Sequence, residues 1–553
     1  MAVEGFSKTT RSTLKKRREE VSARIAACGL ARAPHRVARV VGIEESQGRK
    51  LRLALEGLGP VFSAFGRYLA TRVDLLPASD CLELAAIPDR APPAAPAIAR
   101  EVFRRELGSP PGEAFPVFEE RPFESRLLYQ AHRASLPNGA PVEVRIIRPE
   151  TERAFLLDVE LLPLLEGALA VMAPGGGGSF RGALADFTVA LGQQLDFTHE
   201  AKAFETLARD AEEFEMLRVP EVYRGMCAPG VLTVEEMIGI RLDKTGGFTG
   251  AAGARGRGGL PAGFDRTSLA RLICSVWLRQ ALLGHVFPVD PSPENVFILS
   301  ERRIAFTGGL FASLPTESQS NLQNYLSATA SENPDIACSC LLREVRSEGT
   351  TNDEELRHRF RQVVPFRDSE WHRDDDINHL VEHLVVHWRA GGECGYVPLP
   401  HLPSFYRGLF TVTQSAQRLF PERDPLREGL QDTRLLASLE QVREMMSLRQ
   451  FGNQMDKYAA LMMGMPQRFD QMLTLASEGN ARVRLHVPES ATHQRQKNST
   501  AVTTALLLVL AAAALALPRI TAALFAEVWA NRINAFVFIA CGAFLLRAAG
   551  RAR

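Results

Sequence analysis

An uncharged run near the C-terminus, STAVTTALLLVLAAAALALP from Ser499 to Pro518, limits the folding of this chain more than any other feature. In lipid every backbone polar group must be satisfied internally, so a run of about 20 apolar residues crosses the hydrocarbon as a helix. A second run, INAFVFIACGAFLL from Ile533 to Leu546, reaches spanning length through Val528, Trp529 and Ala530 if Arg532 snorkels to an interface. Together they predict a transmembrane helical hairpin over 499–547. Arg495 and Lys497 precede it and Arg547, Arg551 and Arg553 follow it, which favours a cytoplasmic side for both flanks. Arg519 and Arg532 in the turn pull the other way, and a buried hairpin in a soluble domain is the alternative. The N-terminal MAVEGFSKTTRSTLKKRREE lacks the apolar core of a signal peptide. The chain is therefore expected at the inner or cytoplasmic membrane, with its large soluble part cytosolic.

The remainder is long enough for more than one core: 553 residues, 46% hydrophobic and 23% charged. With 65 basic against 64 acidic residues there is no electrostatic footprint for nucleic acid or another polyanion. The eight cysteines are scattered without a C-x-x-C pair and read as thiols of a reducing compartment.

Breaks in composition divide the soluble part. A charged run from Arg11 to Glu20 reads as the solvated face of a helix within an N-terminal segment, 1–50. A helical extension, 51–115, contains the helix-breaking APPAAP at Ala91 to Pro96. The next region, 116–242, holds the strand-like VEVRIIRP and GVLTVEEM, with a PGGGGS connector between them at Pro174 to Ser179. A Gly- and Ala-rich linker, 243–268, leads to a mostly helical region, 269–490, that begins with the helical spacing of SLARLICSVWLRQALLG. A strand-bearing lobe before a larger helical lobe predicts an α+β, protein-kinase-like bilobal fold with a helical N-terminal extension and the C-terminal hairpin.

Within the second lobe, FPVDPSPENVFIL places Asp290 five residues before Asn295. By itself D-x-x-x-x-N is expected by chance about once in a chain of this length. Phosphoryl transfer, however, needs such a pair, an Asp to orient the attacking hydroxyl and an Asn for metal. It also needs a strand lysine for the α- and β-phosphates and a second Asp after the next hairpin. Here Arg145 in VEVRII occupies the lysine position. After the hairpin-like NVFILSERRIAF, the chain has Thr307, Gly308 and Gly309 where D-F-G would stand.

At this point the chain resembles the UbiB/AarF-type atypical kinases, from about Gly59 to the hairpin. The family's segment G-P-x-F-x-K-L-G-Q-x-L-S-T-R-x-D-L-L-P is similar to GPVFSAFGRYLATRVDLLP, Gly59 to Pro77. Its alanine-rich loop is similar to PFESRLLYQAHRA, and its E-x-D-x-x-x-E segment to QLDFTHEAKAF. The segments VLTVEEMIGIRL and MPQRFDQMLTLASEGNARVRLHVPE also look like family members. The resemblance implies nucleotide binding at Arg145, Glu200 and Asn295, a metal at Asn295 and Asp196, and a catalytic role for Asp290, retained or vestigial.

The departures from the family pattern fall on the chemistry. K-x-G-Q becomes Ala64-Phe65-Gly66-Arg67, losing the lysine, and Glu124, Ser125 and Arg126 stand in the alanine loop, where Glu124 would repel phosphates. A planar guanidinium at Arg145 does not reproduce a compact ammonium. Gln194 removes one acid, and the Thr307 hydroxyl cannot replace a carboxylate on Mg²⁺. The resemblance therefore implies a pseudokinase, binding ATP or ADP with Mg²⁺ weakly or not at all. It would support isoprenoid-quinone or membrane-lipid metabolism through lipid-pathway enzymes or an isoprenoid lipid.

Two alternatives stand beside this. An active atypical kinase or ATPase would use Asp196 as the compensating acid. A zinc hydrolase would use HLVEHLVVH, in which His379 and His383 are spaced as ligands and Glu382 would polarise water. The bland version of that segment is an amphipathic helix with histidines at its boundary.

Overall fold

The computed structural model describes residues 8–30, 46–172, 180–212, 214–245, 260, 264–347, 351–363, 379–420 and 423–433. The hairpin expected over 499–547 lies outside these residues, as do the late family-like segment and most of the linker. Among the described residues no helix is long and apolar enough to cross a membrane.

The extension is a helical layer built by ordinary capping and punctuation. Ser46 accepts a hydrogen bond from the Arg49 amide (3.2 Å) and opens the helix Gln47–Leu58. Gly59 turns the chain at φ +106°, and Pro60 begins the helix Pro60–Leu69. Gly66 lets this helix approach Leu55 and Ile87 closely, since a Cβ there would lie 2.9 Å from the Leu55 side chain. Below it, Arg72 grips Asp74 through two bonds of 2.9 and 2.7 Å and donates to the Tyr68 hydroxyl at 2.6 Å. The first helix, Lys8–Ala27, is not simply a solvated face. Val21 and Ile25 are buried, and Arg17 pairs with the buried Asp158 at 2.8 Å.

The small lobe is an antiparallel sheet of β1 (Val117–Phe118), β2 (Glu124–Ser125), β3 (Tyr129–Ser135) and β4 (Pro141–Ile147), completed by a later strand, Val231–Glu235, against β4. Strand alternation sends Val142, Val144 and Ile146 into one core, which they share with Ala99, Val102 and Phe103 of the helix Pro96–Leu107. That helix lies before the expected lobe boundary at 116, yet it packs as part of the small lobe. Its apolar face has no other sheet to cover.

A second sheet crosses the other expected boundary, at 242. In chain order its strands are β5 (Leu217–Arg218), β7 (Ile240–Arg241), β9 (Val296–Ser300) and β10 (Arg303–Phe306), with β6 being Val231–Glu235 and β8 Phe287–Pro288. β9 and β10 form a hairpin, β7 pairs with β9, and β5 runs parallel to β10. β11 (Phe311–Ala312) pairs with β8. Asn295 thus sits immediately before β9 and Thr307 immediately after β10. The loop between β8 and β9 is held by large-lobe helices. Trp277 Nε1 donates to the Pro288 carbonyl at 2.8 Å, and Ser415 Oγ to that of Pro291 at 2.8 Å.

The HLVEHLVVH segment lies in the helix Leu380–Glu393, with His379 at its cap position. His383 and His387 face the large-lobe core. His387 stacks on Phe360 with centroids 3.7 Å apart, and its Nδ1 meets the Tyr325 hydroxyl at 3.2 Å. Among the described residues no cluster of three or more His, Cys, Asp or Glu side chains could hold a metal. The described contacts of His383 and His387 are those of an amphipathic core helix.

Burial, with a smaller contribution from His383, depresses His387 to about 3. A buried neutral imidazole is protonated first in the unfolded chain, so its stability contribution is complete above about pH 6.5 and declines as pH falls toward 3. Thermal melts from pH 7 to 4 should show a smaller acid loss in His387→Phe than in the parent, by up to about 1.4 kcal/mol per pH unit. Equal slopes would show that His387 is not the group responsible.

Candidate functional site

The site gathers around Arg145. Period-two alternation on β4 turns Glu143 and Arg145 away from the small-lobe core and toward the space between the lobes. The helix Phe197–Ala211 buries Phe197, Ala201, Phe204 and Leu207, an arrangement that directs Glu200 at the same point. Arg145 bonds Glu143 through Nε at 2.7 Å and Glu200 through Nη1 at 2.6 Å, and its Nη2 donates to the Thr307 carbonyl. The Tyr129 ring lies 5.5 Å from the guanidinium carbon. Burial pushes the Glu200 carboxyl above the usual carboxylate range against the pull of Arg145 and the Gly309 amide, which donates at 3.2 Å. Arg145 thus occupies the strand-lysine position and pairs with a helix glutamate, but its fork also captures the backbone where D-F-G would begin.

Thr307 is turned inward. Its amide and hydroxyl both donate to the Asn295 carbonyl, at 3.0 and 3.4 Å. Asn295 in turn donates from Nδ2 to the Asp290 carbonyl (2.9 Å) and to Ser292 Oγ (3.2 Å), closing the loop on itself. The Asp290 carboxylate lies between two arginines, with its Oδ2 3.7 Å from Arg67 Nη2 and 3.5 Å from Arg407 Nη2. Although burial opposes ionisation, Arg407 and Arg67 hold Asp290 below the usual carboxylate range.

The alanine-loop substitutions fill the cleft with an ion-pair chain. Arg126 lies 3.3 Å from Glu124 and 3.5 Å from Asp89 of the extension, and Nη2 donates to the Glu294 carbonyl of the catalytic loop at 3.4 Å. Glu124 meets Arg241 at 3.0 Å, and Arg241 forks onto Asp243 at 2.7 and 2.9 Å. The expected repulsion between Glu124 and a phosphate therefore misses its main role, which is to pair with arginines from two elements.

The remaining candidates are dispersed. Ala64 packs at the edge of the extension core. Gln194 ends the helix Phe180–Gln194 and lines a hollow of about 320 Å³ that it shares with Glu200 and Gly309 of the Arg145 centre and with His199 and Lys202. Asp196 caps the next helix, accepting from the Thr198 amide (2.9 Å) and hydroxyl (2.7 Å), rather than joining Asn295 at a metal position. Asp89 and Arg407 belong to no motif that sequence reasoning singled out, and Arg241, though inside the family-like VLTVEEMIGIRL, had no role assigned to it.

As arranged, this set does not fit a Mg²⁺–nucleotide. The metal-binding aspartate is replaced by a hydroxyl turned onto a carbonyl, and the Asn295 amide nitrogen is engaged with its own loop. The arginine standing for the phosphate-binding lysine already holds two carboxylates and a carbonyl.

A strand-rich lobe, a helical lobe, and the Arg145, Glu200, Asp290 and Asn295 positions between them define a protein-kinase-like class. Residues 86–338 match the family model described as the ABC1 atypical kinase-like domain. The chain is 32% identical over 292 residues to a probable protein kinase UbiB of Pseudomonas putida, covering 52% of each protein. It is 31% identical over 273 residues to the chloroplastic protein ACTIVITY OF BC1 COMPLEX KINASE 7 of Arabidopsis thaliana, covering 49% of this chain and 38% of that protein. These similarities support membership of the UbiB/AarF-type atypical kinase family. It spans about half the length of the UbiB relative. A solved complex of Rv3197 with erythromycin from Mycobacterium tuberculosis aligns with 65% of this chain and 87% of that one at 17% identity. Its TM-score of 0.37 carries no argument.

Removing Glu200 leaves a buried guanidinium short of one carboxylate. Glu200→Ala should cost about 3 kcal/mol, the low end for breaking a buried pair because Glu143 remains. A Cβ on Gly308 would overlap the Arg145 guanidinium and lie 2.8 Å from Glu200 Oε1, so Gly308→Ala should cost at least about 1 kcal/mol. Denaturant unfolding measures both, and a loss under 0.5 kcal/mol, the usual scale of a surface change, for either would refute this view of the Arg145 centre.

Proposed function

We propose that the chain is a pseudokinase of this family. In this reading it is held at the cytoplasmic membrane by the 499–547 hairpin, with its large soluble part in the cytosol. It supports isoprenoid-quinone or membrane-lipid metabolism as a conformational or scaffolding element. Its partners are enzymes of those pathways or an isoprenoid lipid, and not nucleic acid. The observation that carries the reading is the ion-pair chain of Glu124, Arg126 and Arg241 across the cleft, beside a Thr307 hydroxyl that faces the Asn295 carbonyl. Phosphoryl transfer depends on metal and preorganised charge at that point. The quinone assignment rests on the family and on the relative named UbiB alone.

One observation favours an active kinase or ATPase instead. Arg145 and Glu200 are paired, as an active kinase centre requires of its lysine and glutamate, and Asp290 is held ionised beside Asn295. In that second reading Thr307 and the Glu124–Arg126 loop would rearrange to admit ATP or ADP with Mg²⁺.

Thermal-shift titration of the full chain separates the two. The pseudokinase reading expects no shift with ATP or ADP, with or without Mg²⁺. A Mg²⁺-dependent shift that disappears in Asp290→Ala or Asn295→Ala would mean that a working metal site survives, and would overturn it.

A further inference from the structure

Beside Asp290 lies a cleft of about 350 Å³. Three parts of the chain wall it. Arg67 and Thr71 come from the extension, Asp290 and Ser292 from the catalytic loop, and Arg407 and Arg418 from the helix Leu402–Gln417 and its cap. Its charged lining is three arginines against two acids, Asp290 and Glu294.

The geometry of the arginines is unusual for an internal ion pair. Arg67 and Arg407 converge on the same oxygen, Asp290 Oδ2, yet stand 3.7 and 3.5 Å from it. Close charge-assisted N–H···O⁻ bonds are about 2.7–2.9 Å long. One carboxylate oxygen cannot satisfy two planar forks, so donor capacity remains at the cleft wall even though Arg67 Nη1 also donates to the Ile87 carbonyl at 3.0 Å. The two side chains are only 21% and 12% exposed, a setting in which a pairing anion is screened less than at a surface. The hydroxyls on the same wall are already engaged, Thr71 donating to the Tyr68 carbonyl at 3.0 Å and Ser292 bonding the Asp290 carboxylate, which leaves the guanidiniums as the donors.

We propose that this cleft is an anion site that takes the phosphate group of a small ligand, held by Arg67, Arg407 and Arg418 with Asp290 as the internal carboxylate it partly displaces. Forked guanidiniums match the tetrahedral oxygens of phosphate in a way that a lone ammonium does not. The site does not require the nucleotide cleft to open, and the inference stands or falls separately from the pseudokinase reading.

The test is calorimetric titration of the full chain, without nucleotide or Mg²⁺. Inorganic phosphate is used in one arm and a short-chain phosphatidic acid in the other. Saturable binding in either arm is expected. It should weaken about tenfold in Arg407→Gln, the effect of losing one charge-assisted bond, and less in Arg407→Lys, which keeps the charge. It should tighten in Asp290→Asn, which removes the internal competitor; a merely structural role for Asp290 would not produce that gain. Binding in the phosphate arm means that the free anion suffices, whereas binding in the lipid arm alone identifies a lipid headgroup as the source. The proposal is overturned if neither probe binds up to millimolar concentration in variants and parent whose circular dichroism shows them folded. It is equally overturned if Arg407→Gln leaves binding unchanged.

Discussion

The buried guanidinium of Arg145 is the point on which the site depends. Taking such a group out of water costs several kcal/mol, and it persists only where its donors are met. Glu143 on its own strand, Glu200 on the helix Phe197–Ala211 and the carbonyl of Thr307 after β10 meet them, one from each neighbouring element. Strand, helix and post-hairpin segment are thereby fixed relative to one another by a single side chain. Gly308 follows from this, because the chain must pass so close to the guanidinium and Glu200 that a Cβ there has no room.

Two lines of alternating charge extend from there. One runs Asp89, Arg126, Glu124, Arg241, Asp243 and ties the extension to the small lobe and to the start of the second. The other runs Arg67, Asp290, Arg407 and ties the same extension to the catalytic loop and a large-lobe helix. In both, each interior charge touches two of opposite sign, which is how buried charges are tolerated without neutralising. The extension therefore takes part in the electrostatics of the cleft as well as packing on it.

The lobes, the β9–β10 hairpin and the Asp290, Asn295 and Thr307 positions were legible because they rest on local pattern: strand alternation, helical spacing and fixed motif offsets. What escaped depended on long-range pairing. Arg407 lies 117 residues from Asp290, and Arg241 the same distance from Glu124. No local rule links them. The charged run at Arg11 to Glu20 concealed Arg17 as the partner of Asp158, 141 residues away. The packing of the helix Pro96–Leu107 on the small-lobe sheet was not legible either, because amphipathicity tells that a face is buried, not against what. Asp196, given a ligand's role by family position, is also a helix cap, as an Asp two residues before Thr198 already spells in the sequence.

The parallel pairing of β5 with β10 bears on how the chain acquires this structure. Among the described residues, Leu217 and Arg218 find their ladder partners in Ile304 and Ala305. Contacts of such sequence separation form late because loop closure must precede them. During synthesis the small-lobe sheet can assemble first, but the edge at β5 stays open until the β9–β10 hairpin has emerged. A nascent chain arrested between these points would display an unpaired strand, the kind of edge that recruits chaperones or other strands.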